Sequence, residues 1–176
     1  VLLCRDPGST LLGERLRDLL LDKHDIAIDR RSEMFLYMTA RTQMVEQVIK
    51  PAIEEGKTVI CDRYLLANIV YQGHAGGLDA EVIRQVGQVA TDGILPDLTI
   101  LLDMDVTNAC GRMDRELDRI ESQGLAYMEQ VRQGFLTEAA RAPDSIKVVD
   151  AAPEIEAIHQ EIIDLASAFL SAQKRD

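Results

Sequence analysis

One short segment constrains the fold of this chain more than any other, an apolar strand pattern that ends in an acidic and a basic residue. It reads Thr58-Val59-Ile60-Cys61-Asp62-Arg63-Tyr64, and a helical pattern follows at once. This arrangement is typical of open parallel α/β sheets, whose ligands bind beyond the carboxyl ends of the strands. A carboxylate at that place is suited to ordering Mg²⁺, and a guanidinium to holding a phosphate. We therefore predict that Asp62 and Arg63 are catalytic residues of phosphoryl transfer.

Strand and helix patterns alternate along the rest of the chain. This alternation predicts one α/β domain over residues 1–176, with a three-layer parallel sheet and helices on both faces. The strands are predicted near residues 1–4, 58–61, 98–102 and 146–149.

The longest predicted helix runs from Ser32, as its N-cap, to about Glu55, with a kink or a restart at Pro51. Its end and the next strand nearly match G-x-x-x-x-G-K-[ST] over residues 51–58. The match fails because Pro51 replaces the first glycine. It also fails because a phosphate-binding loop leads from a strand into a helix, and here a helix leads into a strand. We do not interpret this segment as a phosphate-binding loop.

Composition narrows the classes of partner. The 176 residues carry a formal net charge of −11, whereas nucleic-acid-binding proteins carry a basic face, so we predict no nucleic-acid partner. Cys4, Cys61 and Cys110 lack the spacing of metal ligands, which favours reduced thiols in a cytoplasmic protein. The sequence shows neither a signal peptide nor a run of 18 apolar residues, so we predict no membrane partner.

Three further residues are candidates for binding a nucleotide, and each has a plain alternative. Arg5 follows the first strand, where it could grip a phosphate or simply lie on the surface beside a turn. Tyr37 and Arg41 are four residues apart on the long helix and share a face. That pair could stack on a base and hydrogen-bond to it, or it could be a half-buried Tyr beside a solvated Arg.

Two later stretches carry similar alternatives. Asn68, Tyr71 and Gln72 have helical spacing after Arg63, so they either face one cleft and read a base edge or form a polar helix end. In residues 112–121, arginines alternate with acidic residues. Such a run is usually a solvated helix face, but it could also be a mobile lid that closes over a phosphoryl group.

Taken together, these segments resemble the thymidylate kinase (dTMP kinase) family of P-loop nucleoside-monophosphate kinases. The match covers essentially the whole chain in collinear order. It is carried by Arg5–Glu14 (family R-E-P-G-G-T-x-x-G-E), Ser32–Arg41 (substrate helix), Asp62-Arg63-Tyr64 (D-R-[YFH]), Tyr71-Gln72-Gly73 (Y-Q-G), Leu95–Thr99 (L-P-D-L-T) and Glu116–Glu121 (lid). The resemblance implies ATP- and Mg²⁺-dependent phosphorylation of dTMP to dTDP by a cytoplasmic homodimer.

The resemblance also implies roles for the residues that would hold dTMP. Tyr37 would stack on thymine, Arg41 would bond its O4, and Asn68, with Gln72 beside it, would address the N3 edge. Tyr71 would fill the space that a ribose 2′-hydroxyl needs, which favours deoxyribose.

Other residues would act on the phosphates and on ATP. Arg5 and Arg63 would hold the 5′-phosphate of dTMP, and Asp62 would order Mg²⁺ and its waters. The lid, at about residues 112–124, would supply a catalytic arginine from Arg112 or Arg115. The adenine of ATP would pass Asp150 and Ala151.

This sequence departs from the family pattern in a few places. Asp6 stands for Glu, Ser9 for Gly and Tyr37 for Phe. The family begins with a strand, a P-loop and a helix ahead of the strand at Val1. We therefore expect a domain that is incomplete at its N-terminus, with its central strand missing and either a gap or an irregular direct pairing between the second and third strands. We expect these 176 residues alone to lack activity.

Two rival functions remain open at this stage. One is another nucleoside-monophosphate kinase, acting on dUMP or on a purine nucleotide. The other is a non-catalytic nucleotide-binding relative or a truncated fragment.

Overall fold

The computed structural model describes residues 1–22, 25–112 and 116–173. Its strands are β1 (Leu2–Arg5), β2 (Val59–Asp62), β3 (Thr99–Asp103) and β4 (Ile146–Asp150). Its α-helices are α1 (Leu11–Leu21), α2 (Arg30–Met44), α3 (Lys50–Glu54), α4 (Leu65–Asn68), α5 (Ala80–Ala90), α6 (Val106–Gly111), α7 (Leu125–Arg141) and α8 (Ile155–Gln173). Two π-helical segments, Val45–Ile49 and Ile69–His74, and a 3₁₀ turn, Glu121–Gln123, complete the order.

The strands form two separate parallel pairs. β1 pairs with β2, with Cys4 opposite Cys61 and Arg5 opposite Asp62. β3 pairs with β4, with Asp103 opposite Asp150. Within the described residues β2 does not pair with β3, which is one of the two outcomes predicted from the sequence. The predicted α/β class with parallel strands is confirmed.

The chain divides into two compact units. The first unit comprises Val1–Leu95 and Leu117–Gly134, and it contains the β1–β2 pair. The second unit comprises Pro96–Glu116 and Phe135–Asp176, and it contains the β3–β4 pair.

One face of α2 and its π-helical continuation forms much of the core of the first unit. Met34, Met38 and Met44 lie on this face and pack in one cluster with Leu65 and Ile83. Met34 and Met38 are four residues apart, so they lie one turn above each other on the helix. The unbranched methionine side chain fills irregular space between helices and strands. The same face carries Glu33 and Arg41 into the interior, and this positions the candidate site.

The predicted helix boundaries need two corrections, at the start of α2 and at Gly73. Asp29, not Ser32, caps α2, because its side chain accepts a hydrogen bond from the Arg31 N–H at 3.0 Å. The predicted restart at Pro51 is found, because α3 begins at Lys50 after the π-helical segment and Pro51 lies in its first turn, where its missing N–H has no intrahelical partner to lose. The predicted loop at residues 73–77 begins later, since Gly73 is buried in the second π-helical segment.

The segment that nearly matches a phosphate-binding loop leads from a helix into a strand, as predicted. α3 ends at Glu54, Gly56 takes a positive φ of 71°, and β2 begins at Val59. The left-handed conformation at Gly56 ends the helix before the strand begins.

Val149 of β4 is fully buried in the second unit, and α8 packs along that strand. None of the helices in the described parts of the chain is long and apolar enough to cross a membrane.

Candidate nucleotide site

The loop after β1 is built around Glu14. One carboxylate oxygen of Glu14 accepts from the Arg5 guanidinium at 2.7 Å, and the other accepts from the Ser9 N–H at 2.8 Å. The hydrogen bond from Arg5 holds the pKa of Glu14 below its usual range. Thr10 caps α1 by accepting from the Gly13 N–H at 2.9 Å. Arg5 is therefore exposed at the strand end but oriented by Glu14.

Gly13 is required by the close approach of this loop to α1. A Cβ atom at residue 13 would lie 2.5 Å from the Gly8 carbonyl oxygen and 2.9 Å from the Thr10 hydroxyl. We expect Gly13→Ala to lower the free energy of unfolding by about 1–3 kcal/mol, because a backbone atom must move. Thermal unfolding measures this, with Gly111→Ala as control because a Cβ there meets nothing within 4 Å. Equal melting temperatures for the two variants would contradict the prediction.

Arg41 lies at the centre of the candidate site and is almost fully buried. Its Nε donates to the Asp6 carboxylate at 2.6 Å, and its guanidinium lies 5.5 Å from the centre of the Tyr64 ring. A solvated Arg41, one of the two alternatives, is therefore wrong. The other oxygen of Asp6, Oδ1, is buried and has no partner among the described residues. Burial raises the pKa of Asp6, although the positive charge of Arg41 opposes the shift.

A chain of buried hydrogen bonds leads away from Arg41. Its Nη1 donates to Asn68 Oδ1 at 2.8 Å, and Asn68 Nδ2 donates to Gln72 Oε1 at 2.7 Å. Gln72 Nε2 in turn donates to Glu33 Oε1 at 2.8 Å. The structure therefore brings together Arg41, Asn68 and Gln72, three of the residues predicted from the sequence.

Sequence reasoning assigned no role to Asp6 or Glu33. Both carboxylates are at least 97% buried, and both bind residues of the predicted site. Glu33 precedes Tyr37 and Arg41 by four and eight residues on the same helix, and this spacing was the available signal. No comparable signal existed for Asp6, because its contact with Arg41 joins residues 35 positions apart.

The predicted phosphate-facing residues lie at the carboxyl ends of β1 and β2. Arg5 and Asp62 are register partners there, and the Asp6 N–H donates to the Asp62 carbonyl at 2.9 Å. Arg63 follows with a φ of 66°, and its guanidinium lies 5.3 Å from the centre of the Tyr71 ring.

The two predicted tyrosines are both half-buried. Burial raises the pKa of Tyr37, so its hydroxyl stays protonated at neutral pH. The backbone carbonyl of Tyr71 accepts from the Tyr127 hydroxyl at 3.0 Å, which ties the helix end to α7.

Part of the charged run at residues 112–121 is anchored to the first unit. The Arg119 side chain donates to the Leu20 carbonyl at 2.8 Å, and its backbone N–H donates to the Leu21 carbonyl at 3.1 Å. Arg119 also forms an ion pair with Glu33. The alternative of a purely solvated helix face is therefore wrong for Arg119. Arg115 lies outside the described residues. The lid itself stays a prediction.

The second unit has a pocket of about 430 Å³ beside the end of β4. Arg112 lines it and donates to the Ala151 and Ala152 carbonyls, each at 2.9 Å. Asp150 accepts from the Ala152 N–H at 2.9 Å. The structure therefore brings Arg112 together with Asp150 and Ala151, the pair predicted for ATP. The remaining lining residues are Met104, Thr107, Asn108 and Gly111.

A comparison with known protein families identifies the chain. The family model described as thymidylate kinase matches residues 1–162. The chain belongs to the thymidylate kinase family. The family and the kinase class that the sequence predicted are both confirmed.

The individual relatives that resemble this chain are also named thymidylate kinases. A thymidylate kinase of Rhodopirellula baltica is 45% identical over 162 residues, which cover 92% of this chain and 66% of the relative. A thymidylate kinase of a Thermoanaerobacter species is 41% identical over 171 residues, covering 97% of this chain and 84% of the relative. The crystal structure of thymidylate kinase from Ehrlichia chaffeensis superposes with a TM-score of 0.76 at 29% identity, covering 94% of this chain and 80% of that chain.

Proposed function

We propose that this member of the thymidylate kinase family transfers the γ-phosphoryl group of ATP to dTMP, forming dTDP and ADP. The observation that carries the proposal is the buried pair of Arg41 and Asn68. Arg41 offers only donors and Asn68 turns its carbonyl oxygen toward Arg41. Nη2 of Arg41 has no hydrogen-bond partner among the described residues. A donor beside an acceptor complements the O4 and N3–H of thymine.

The phosphate-handling half of the proposal rests on the ends of β1 and β2. Arg5 and Arg63 supply the positive charge for the 5′-phosphate of dTMP, and Tyr37 supplies a ring for the base to stack on. No residue needs to form a covalent intermediate in this arrangement. Catalysis then consists of positioning the two phosphates and stabilising the charge that develops between them.

The residues at the strand ends fit a nucleotide-bound Mg²⁺. Such an ion takes one or two carboxylates and completes its shell with waters and phosphate oxygens. Asp62 is an exposed carboxylate at the end of β2, and the unpartnered oxygen of Asp6 is a second acceptor in the adjoining loop. The described ranges hold no cluster of three or more metal-binding side chains, and a nucleotide-bound ion needs none. When bound, Mg²⁺ neutralises charge on the transferring phosphoryl group.

The donor nucleotide belongs, in this proposal, to the pocket of the second unit. Asp150 and Ala151 lie on the segment that Arg112 holds through its two hydrogen bonds. Arg112 or Arg115 remains our candidate for an arginine that closes on the phosphoryl group. We also propose that the protein is cytoplasmic and acts as a homodimer, as the resemblance to the family implies.

A product assay tests the proposed function. The chain, extended ahead of Val1 by a family-like strand, P-loop and helix, is mixed with ATP, Mg²⁺ and one nucleotide at a time. Diphosphate formation is followed by chromatography, and ADP release is coupled to NADH oxidation. We expect dTDP from dTMP and much slower reactions with dUMP, dGMP and dCMP. Preference for dUMP or a purine nucleotide would favour another nucleoside-monophosphate kinase. Binding of dTMP without any product would favour the non-catalytic rival.

The sugar preference gives a prediction about Tyr71. We expect Tyr71→Ala to raise kcat/KM for the ribose analogue of dTMP roughly tenfold relative to dTMP, because the ring no longer fills the 2′-hydroxyl space. Tyr71→Phe is the matched control, since it keeps the ring and removes only the hydroxyl. The prediction is wrong if both variants discriminate as the wild type does.

A further inference from the structure

Two of the three cysteines of this chain lie directly opposite each other on neighbouring strands. Cys4 of β1 and Cys61 of β2 are register partners, and both are free thiols. We propose that this pair is a redox modification site, which a hydroperoxide converts to a reversible disulfide that weakens nucleotide binding. The effect on binding rests on the proposed function, whereas formation of the disulfide does not.

The backbone places the two cysteine side chains at a separation that suits a disulfide. Neighbouring strands lie about 4.8 Å apart, and register partners of a parallel pair point to the same face. A disulfide spans Cα atoms that are about 4.4–6.8 Å apart. The Cys61 thiol donates a hydrogen bond to the Cys4 sulfur, so the two sulfur atoms already contact each other. Joining them needs only side-chain rotation and a small approach of the strands.

The pair lies on the inner face of the two strands but is not sealed there. Leu3 and Ile60, the register partners before the cysteines, point to the opposite face and are 73% and 55% exposed. Cys4 belongs to the buried hydrophobic cluster, whereas Cys61 packs against this cluster and stays partly exposed. A hydroperoxide is small enough to reach a thiol pair that is open on one side.

The oxidation balances with one molecule of hydroperoxide for each pair. One cysteine attacks a peroxide oxygen as a thiolate, the O–O bond breaks, and the departing hydroxide or alkoxide takes up the proton that the thiol gave up. The other cysteine then attacks the sulfur of the resulting sulfenic acid, so the S–S bond forms, the S–O bond breaks and water leaves. Two thiols are oxidised and the peroxide is reduced. A dithiol reductant reverses the step by thiol–disulfide exchange.

The disulfide acts on the candidate site through the residues that follow the cysteines. Arg5 and Asp62 are the next register partners, and the Asp6 N–H donates to the Asp62 carbonyl at 2.9 Å. Asp6 in turn holds the buried guanidinium of Arg41 at 2.6 Å. A disulfide draws the two β-carbons to about 3.8 Å from each other, nearer than the strand spacing of about 4.8 Å. A shift on the order of 1 Å in groups that position a ligand is costly, so we expect oxidation to weaken dTMP binding about tenfold.

Peptide mapping tests the modification site on the whole 176-residue protein. The protein is treated with hydrogen peroxide, its remaining thiols are blocked with iodoacetamide, and the digest is analysed by mass spectrometry. We expect a peptide pair that is joined through Cys4 and Cys61 and that dithiothreitol separates. Cys110, which lies on α6 in the second unit, should be alkylated. Intact thiols, or oxidation that leaves Cys4 and Cys61 unlinked, would overturn the inference.

Calorimetry on the same protein tests the effect on binding. The dissociation constant of dTMP is measured on the reduced protein, on the oxidised protein and after treatment with dithiothreitol. We expect a rise of about tenfold on oxidation and recovery to within about twofold, because dithiothreitol reduces a disulfide but not methionine sulfoxide. A mapped disulfide with unchanged affinity overturns the inference. A loss of affinity that the reductant does not reverse also overturns it.

Cysteine variants give the matched comparison. Cys61→Ala removes one partner of the pair, so its affinity for dTMP should not respond to peroxide, whereas Cys110→Ala keeps the pair and should respond as the wild type does. Cys4→Ala replaces Cys61→Ala if that variant does not fold, and a wild-type response in either folded variant overturns the inference. If the reduced wild type does not bind dTMP, the proposed function fails and the peptide map alone decides the modification site. If it binds dTMP and no disulfide forms, the inference alone fails.

Discussion

Replacing Arg41 with methionine is expected to lower the free energy of unfolding of the first unit by about 3–5 kcal/mol. The change leaves the Asp6 carboxylate buried without its guanidinium partner, which now donates at 2.6 Å. It also removes the donor to Asn68 and opens a site beneath the Tyr64 ring. The same variant should bind dTMP too weakly to measure in the range where the wild type saturates.

Chemical denaturation and calorimetry measure the two effects of this substitution. Arg31→Met is the matched control, because Arg31 is exposed on the same helix and pairs with Asp29 only at 3.8 Å. Its expected effect is within about 0.5 kcal/mol. Adding Asp6→Asn to Arg41→Met should recover part of the lost stability, since no unpaired charge then remains buried. Full stability in Arg41→Met would show that the buried pair contributes little.

The strands of this chain could be predicted from the sequence because each is a short apolar run bounded by turn residues. β2 ends at the Asp62-Arg63 pair as predicted. The π-helical segments could not be predicted in the same way. They depend on how a helix accommodates Pro51, or packs Gly73 against Ile83 and Ala80, and local sequence does not record that choice.

The residues of the candidate site differ in the same way: helical spacing predicts some of them, and tertiary packing determines the others. Helical spacing was enough to place Arg41 on one face of α2, and Asn68 with Gln72 on one face of the following helix, because neighbours at three and four residues face together. The carboxylates that hold these residues depend on tertiary packing. Asp6 contacts Arg41 from the loop after β1. Glu33 of α2 contacts Gln72 of the second π-helical segment. A sequence pattern predicts which side chains share a face, but not which charge lies opposite that face.

The turn after β2 carries local backbone strain. Arg63 has a φ of 66°, a left-handed conformation that costs a non-glycine residue roughly 1–2 kcal/mol. Strain of this kind persists only where the surrounding structure holds the residue in place, and it is frequent at functional sites. At this position the strain aims a guanidinium beyond the end of β2, beside the Tyr71 ring. Stability and catalysis should therefore respond in opposite directions when Arg63 is replaced.

Replacing Arg63 with glycine tests whether stability and catalysis respond in opposite directions. Glycine adopts a positive φ freely, so we expect the free energy of unfolding to stay the same or to rise by up to about 1 kcal/mol. Loss of the guanidinium should lower kcat for dTDP formation by about 10²–10³-fold, because the proposed function uses this charge to stabilise the transferring phosphoryl group. Thermal unfolding and the coupled ADP assay measure the two effects on one preparation of the chain extended ahead of Val1.

Asp92→Gly is the matched control for Arg63→Gly. Asp92 also has a positive φ, 50°, and it pairs with Lys50 on an exposed surface. This variant should keep the wild-type kcat while its melting temperature stays close to that of the wild type, since the relieved strain is offset by a lost surface ion pair. If Arg63→Gly keeps the wild-type kcat as well, Arg63 does not act on the phosphoryl group. If it instead unfolds far below the wild-type melting temperature, Arg63 holds the turn together, and its strained backbone has a structural cause.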